Sequence, residues 1–274
     1  MKTTNILVTL TMVARAMVAL AMVALAMVAS ATGASGADWG TLKGRLVVDG
    51  SVPEPAAVNV NKDTEFCGQH TLVDETVDIG ENGGLTNALI YLYTARGKTV
   101  PVHPDLESAS DTVVLDNKGC RFEPHVLLVR TGQPFEIHNS DPGIGHNTNA
   151  AMLNNPTFNE IVSNDSPIKK TFAKAEVVPV VVSCNVHTWM KAYMLVRDNP
   201  YMAFTGADGS FEIKNIPAGA NEFIFWHESS GNLKNVKLGA AGKTDRKGRA
   251  KLKIPAGETL DLGEVKLAPA ALGL

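Results

Sequence analysis

The sequence predicts an all-β protein. After residue 37, short runs rich in β-branched and aromatic residues alternate with turn signals, and no sustained helical periodicity separates them. The pairs Asp49-Gly50 and Asp208-Gly209 and the stretch 217–219 are typical of turns between strands. Short strands at such spacing bury their apolar faces by pairing into sandwiches or barrels.

Eight segments are predicted as strands because they combine β-branched or aromatic residues with flanking turn residues. In chain order they are residues 44–48, 88–93, 126–130, 135–139, 177–183, 194–197, 211–214 and 222–226. In the segment 211–214, Phe211 and Ile213 would point inward together, as alternate residues of a strand do. The polar stretch 141–161 is predicted as a long loop, and the basic stretch 245–253 as a solvated hairpin.

Residues 1–37 are predicted to be a secretory signal peptide. Lys2 stands near the start, residues 16–29 are only Ala, Met, Val and Leu, and small residues continue to Ala37. The apolar run is too short to span a hydrocarbon core comfortably, and an uncleaved anchor is the alternative. We therefore expect a periplasmic or secreted protein without stable membrane insertion after signal cleavage.

The charge balance argues against nucleic-acid binding. The chain of 274 residues has 25 Lys and Arg against 28 Asp and Glu, a formal net charge of -3. No basic run provides the electrostatic attraction that binding to a phosphate backbone requires. We expect no nucleic-acid partner.

Two stretches concentrate side chains that bind metals. Cys184, His187 and Met190 follow one apolar strand, so one short loop can place a thiolate, an imidazole and a thioether around one point. His146 follows another strand and would complete the set, with His138, inside that strand, as the less favoured rival. Two His and one thiolate with a weak axial Met is the ligand set of a blue-copper centre, whereas zinc more often recruits further Cys, His or carboxylate ligands.

These residues resemble the ligand pattern of the cupredoxins. The spacing Cys-x2-His-x2-Met at 184–190 is similar to the short ligand loop of the amicyanins, and residues 133–141 resemble the strand before the first ligand. The resemblance covers about residues 120–198. It implies a Greek-key cupredoxin β-sandwich holding one type 1 copper ion, with His146 as the first ligand and Asn147 bracing the ligand loop.

The flanking parts are expected to be smaller β-sandwich modules. Residues 205–219 and the strand that follows them resemble the carboxypeptidase regulatory-like β-sandwich. The predicted order is a signal peptide (1–37), an N-terminal β-rich module (38–118), the cupredoxin domain (119–198) and a carboxypeptidase regulatory-like module (199–274). The flanking modules would serve as scaffolds or docking surfaces.

Cys67 and Cys120 have two interpretations. If Cys184 holds copper, the other two cysteines of an exported chain can pair in a disulfide that links the first module to the cupredoxin domain. The alternative is a second metal site, because Cys67-x2-His70 and Cys120-x4-His125 also pair Cys with His.

The resulting hypothesis is a protein that is not an enzyme and exchanges single electrons with an unidentified redox protein. Electrons would pass through an exposed edge of His187, with Trp189 either near the contact surface or in the core. The alternatives are a copper carrier or sensor that uses the same ligands, and a structural or adhesion module with the same fold.

Overall fold

The structure, a computed structural model, describes residues 39–274, and the predicted signal peptide at 1–37 lies outside the described residues. Strands dominate, and the prediction of an all-β protein is confirmed. The strands are β1 (Trp39–Val48), β2 (Leu89–Leu92), β3 (Val113–Lys118), β4 (Arg121–Glu123), β5 (Val126–Arg130), β6 (Phe135–Asn139), β7 (His146–Ala150), β8 (Phe158–Val162), β9 (Ile168–Lys170), β10 (Val180–Ser183), β11 (Lys191–Arg197), β12 (Met202–Phe204), β13 (Ser210–Pro217), β14 (Gly219–His227), β15 (Gly231–Asn232), β16 (Arg249–Ile254) and β17 (Thr259–Leu267). The helical elements of this range are α1 (Thr64–Cys67) and short 3-10 helices at Glu81–Gly83, Pro104–Leu106, Gly239–Ala241 and Pro269–Leu272.

Within residues 39–274, no helix has the length and apolar character needed to cross a membrane.

The strands from β3 to β11 form one sandwich, here named the central sandwich (residues 113–197). Its two sheets have the orders β5-β11-β10-β7-β8 and β4-β3-β6-β9. Phe135 and Ile137 of β6 are buried in its core, while the intervening Glu136 and His138 are partly exposed. This alternation is what a strand with one face against a core requires.

The remaining strands form a second sandwich, here named the flanking sandwich. Its sheets have the orders β13-β1-β17 and β12-β2-β14-β15, and β16 pairs with β14. β1 is antiparallel to β13 and parallel to β17, where Leu46 lies opposite Val265. Leu42, Ile90 and Phe225 are fully buried in the core that these sheets share.

The flanking modules predicted at 38–118 and 199–274 are joined in this one sandwich. β1 lies between β13 and β17, and β2 lies between β12 and β14, so strands from both ends of the described chain alternate in the same sheets. β3, at 113–118, belongs instead to the central sandwich. Local patterns identify strands but not their distant partners, which is why the predicted division into modules differs from the fold.

A third apolar cluster joins the two sandwiches. Tyr91 of β2 and Trp226 of β14 meet Val126 and Leu195 of the central sandwich in this cluster. The rings of Tyr193 and Trp226 lie 5.1 Å apart, measured between their centroids. β2 is therefore buried on both faces, which explains its unbroken apolar sequence Leu-Ile-Tyr-Leu.

The long connection between β1 and β2 packs against the central sandwich. A disulfide joins Cys67, the last residue of α1, to Cys120, with the two Cα atoms 5.6 Å apart. Leu72 and Trp189 pack around the bridge. The predicted Cys67–Cys120 disulfide is confirmed, and Cys184 is left as a free thiol.

Two stretches differ from their predicted secondary structure. The basic stretch 245–253 contributes most of β16, whose Ala250, Leu252 and Ile254 are buried. Its charged residues occupy the alternate, outward positions, so the stretch looks solvated in the sequence although its other face is buried. The polar stretch 141–161, predicted as a loop, contains β7 and most of β8, which are held by pairing with each other and with β10.

Candidate metal centre

Three side chains that can bind a metal converge at one end of the central sandwich. His146 begins β7, Cys184 follows the last residue of β10, and His187 lies in the loop that leads to β11. Because β7 and β11 both pair antiparallel with β10, these positions share one end of the sheet. One ligand atom from each residue lies within 4.8 Å of the others, and all three residues are buried.

The two imidazoles face each other through their Nδ1 atoms. His146 Nδ1 and His187 Nδ1 are 3.1 Å apart, and Cys184 Sγ is 3.9 Å from His187 Nδ1. Two nitrogen atoms and one sulfur atom therefore face one another in a buried group. This is the three-atom donor set that a trigonal copper site uses.

The loop from Cys184 to Met190 is held closed by its own backbone. The Cys184 N–H donates to the Met190 carbonyl (3.2 Å), and the Met190 N–H donates to the His187 carbonyl (2.9 Å). The His187 N–H points at Cys184 Sγ, 3.4 Å away. Met190, the fourth predicted ligand, is buried in the same apolar cluster as Cys184.

Asn147 braces this loop, as the resemblance implies. Its side-chain Oδ1 accepts hydrogen bonds from the backbone N–H of Asn185 (2.7 Å) and of Val186 (3.3 Å). The same oxygen lies 3.4 Å from Cys184 Sγ. A buried side chain of β7 thus fixes the first turn of the ligand loop.

The outer nitrogen of each imidazole is held by a carboxylate. His146 Nε2 lies 2.9 Å from Asp141 Oδ2, and His187 Nε2 lies 2.8 Å from Asp63 Oδ2. Since a carboxylate accepts, each imidazole donates its Nε2–H outward, and its Nδ1 faces the other imidazole and Cys184. Sequence reasoning missed both carboxylates. Asp141 stands five residues before His146 and could have been found there, whereas nothing near Asp63 marks it.

The surroundings of Cys184 favour its thiolate form. Burial alone would raise the pKa of the Cys184 thiol, but hydrogen bonds from His146 and from the backbone N–H of His187 outweigh it, so the pKa is lowered. Burial would likewise lower the pKa of His146, yet Asp141 and Cys184 raise it overall. Burial lowers the pKa of His187 despite the hydrogen bond to Asp63. The thiolate is the form of cysteine that binds metals.

The expectation of an exposed His187 edge is wrong. The His187 side chain is 0% exposed, because the connection between β1 and β2 brings Asp63 against its outer nitrogen. Trp189, which is half-buried, lies beside it with ring centroids 5.1 Å apart. The Trp189 Nε1–H donates to the carbonyl of Cys120 (3.0 Å), so this indole links His187 to the disulfide.

The alternative site residues stay outside the group. His138 lies partly exposed on β6 and pairs with a glutamate of its own strand. A second site with Cys67 or Cys120 thiolates is contradicted, because both sulfur atoms are in the disulfide. Asp141 and His146 also lie close to Cys120, but for the same reason that cluster offers no thiolate.

Comparison with known proteins finds partial likenesses to copper proteins. No protein-family model matches the chain, and no curated protein matches it. Among solved structures, the chain is similar to a Cu-containing nitrite reductase from Thermus scotoductus SA-01, with 21% identity over 38% of this chain and 25% of that chain and a TM-score of 0.28. An oxidised amicyanin mutant matches with 19% identity over 33% of this chain and 95% of that chain, at a TM-score of 0.28. A purple cupredoxin from Nitrosopumilus maritimus matches with 17% identity over 31% of this chain and 98% of that chain, at a TM-score of 0.26. The chain thus spans a quarter of the length of the nitrite reductase. The expected likeness of residues 199–274 to a carboxypeptidase regulatory-like module gains no support from these matches.

Proposed function

We propose that this protein is an exported electron carrier that holds one type 1 copper ion through His146, Cys184, His187 and Met190. The observation that carries the proposal is the approach of two imidazole Nδ1 atoms to one buried free thiol. Export is proposed from the composition of residues 1–37, with the periplasm or the cell exterior as the location.

The donor set fits copper better than zinc. Thiolate, thioether and imidazole ligands together suit copper, whereas a structural zinc site normally has four strong ligands. Met190, which is buried in the same apolar cluster as Cys184, would be the weakest of the four ligands. A bound copper ion would supply one-electron chemistry by changing between Cu(II) and Cu(I).

Contacts within the chain fix the positions of the donor residues. Asn147 ties the ligand loop to β7, the loop closes on itself through the backbone of Met190, and carboxylates hold both imidazoles. A site built in advance needs little rearrangement when its charge changes by one electron. This rigidity supports electron transfer as the function.

We further propose that the protein is not an enzyme and that its partner is another redox protein. His146 and His187 are fully buried and Cys184 is 2% exposed, so a substrate would have no direct contact with the donor atoms. A docked protein needs no such contact, because only an electron has to cross the covering side chains.

Copper loading with visible spectroscopy tests the proposal. The purified protein with Cu(II) should show an intense blue or green thiolate-to-copper band, and Cys184→Ser should abolish it. Met190→Leu is the matched control, because the axial bond is weak: it should keep the colour and shift the potential. A colourless Cu(II) complex, or a preference for zinc when both metals compete, would contradict the proposal.

A copper carrier is the second candidate, and the cover over His187 is the observation that favours it. A fully buried His187 behind Asp63 would shield a copper ion from solvent until the carrier passes it on. Exchangeable copper with slow electron exchange would support this alternative, whereas a reversible one-electron potential with fast self-exchange would support the electron carrier.

A further inference from the structure

The strongest unassigned feature is the contact between Asp63 and His187. The two residues are 124 positions apart, yet Asp63 Oδ2 lies 2.8 Å from His187 Nε2. The Asp63 side chain remains 34% exposed while the imidazole is fully buried. One partly solvated carboxylate therefore holds the outer side of a proposed copper ligand.

The backbone conformation at Asp63 accompanies this contact. Asp63 adopts the left-handed conformation, with φ 48° and ψ 44°, immediately before α1. Its carbonyl accepts the N–H groups of Phe66 (3.0 Å) and Cys67 (2.8 Å). Its side chain makes no capping bond to the helix, although Asp is a preferred capping residue. The carboxylate is instead directed at His187.

The disulfide connects this contact to the other imidazole. Cys67 ends α1 four residues after Asp63 and is bonded to Cys120. The backbone N–H of Cys120 donates to Asp141 (2.8 Å), the carboxylate that holds His146. One covalent bridge therefore fixes the positions of both carboxylates relative to the proposed copper site.

We propose that Asp63 is a positioning residue that orients His187 and lowers the reduction potential of the copper site, an inference that rests on the proposed function. By accepting from Nε2, Asp63 keeps the Nδ1 lone pair turned toward Cys184. Its negative charge, close to the metal position, stabilises Cu(II) more than Cu(I), because the oxidised ion carries the larger positive charge.

The size of the effect follows from the loss of such a partner. Removing a carboxylate that orients a metal-binding histidine typically costs 10-fold to 100-fold in metal affinity. If a loss of about 10-fold falls on Cu(II) alone, the potential rises by about 59 mV.

Redox titration of three variants tests the charge and the hydrogen bond separately. Asp63→Asn keeps the size and an acceptor but removes the charge, and Asp63→Ala removes both. Glu65→Gln is the matched control, because it makes the same charge change at an exposed position of α1. We expect the potential to rise by about 59 mV in Asp63→Asn, further in Asp63→Ala, and to stay unchanged in Glu65→Gln.

A copper-free measurement tests the orienting role by itself. Nitrogen NMR of the metal-free wild type should find the neutral His187 ring protonated at Nε2, and Asp63→Ala should lose this preference while Glu65→Gln keeps it. Equal potentials in a coloured wild type and its Asp63 variants would overturn the redox role, and an unchanged His187 tautomer in Asp63→Ala would overturn the orienting role. A wild type without the copper colour would refute the proposed function, and with it the redox role, while the tautomer would still decide the orientation.

Discussion

Replacing both Cys67 and Cys120 by Ala should lower the free energy of unfolding by about 4 kcal/mol. The bridge closes a loop of the chain across a sequence separation of 53 residues. In the chain-entropy model, a crosslink of that span removes about 14 cal/mol/K from the unfolded state, which gives about 4 kcal/mol at 25 °C. A domain typically has 5–15 kcal/mol of stability, so the variant should still fold.

Urea unfolding of the copper-free protein provides the measurement. Wild-type and bridge-free proteins are best compared in a Cys184→Ser background, because the third thiol could otherwise exchange with the bridge. The midpoint should fall, while the slope with urea changes only if the unfolded chain becomes more expanded. Reduction of the wild-type bridge should reproduce the effect of the double replacement.

A loss of less than about 1 kcal/mol with an unchanged slope would contradict an entropic origin of the stabilisation. Reduced and double-replaced proteins that differ widely in stability would also refute it, because the same constraint is removed in both.

Two further predictions concern histidines. Burial lowers the pKa of His227 to about 4 from 6.5, so its stabilising contribution is complete above pH 6.5 and is lost as the pH falls toward 4. Between pH 6.5 and pH 4, the free energy of unfolding measured with urea should fall by about 3 kcal/mol more in the wild type than in His227→Gln. Equal falls in the two proteins would contradict this. For the first copper ligand, His146→Ala should abolish the visible copper band while His138→Ala keeps it. The reverse outcome would move the ligand to β6.

Local patterns predicted the features that depend on neighbouring residues. The predicted strands 126–130 and 135–139 coincide with β5 and β6, because each apolar run is bounded by turn residues. The ligand loop 184–190 was also predictable, since its three proposed ligands lie in one short segment. His146 was predicted as a ligand because it follows the strand 135–139 and matches the cupredoxin pattern, and it does lie within reach of Cys184 and His187.

Apart from the Cys67–Cys120 disulfide, contacts between residues far apart in sequence were mostly not predicted. Asp63 meets His187 across 124 residues, and no pattern around Asp63 indicates a partner. β7 reads His-Asn-Thr-Asn-Ala, and its strand conformation comes from hydrogen bonding to β8 and β10 rather than from strand propensity. The union of β1 and β2 with strands from after residue 201 in one sandwich likewise depends on contacts between strands far apart in sequence.

The interleaving of β1 between β13 and β17 constrains the order in which the protein matures. A chain that emerges from its amino end presents β1 first, but both neighbours of β1 come after residue 209. All strands of the central sandwich come from residues 113–197, so its core can form while β1 still lacks both neighbouring strands. The strands that carry the donor residues of the proposed copper site can therefore pair before β1 finds its neighbours, whereas the flanking sandwich can close only once β17 has been made.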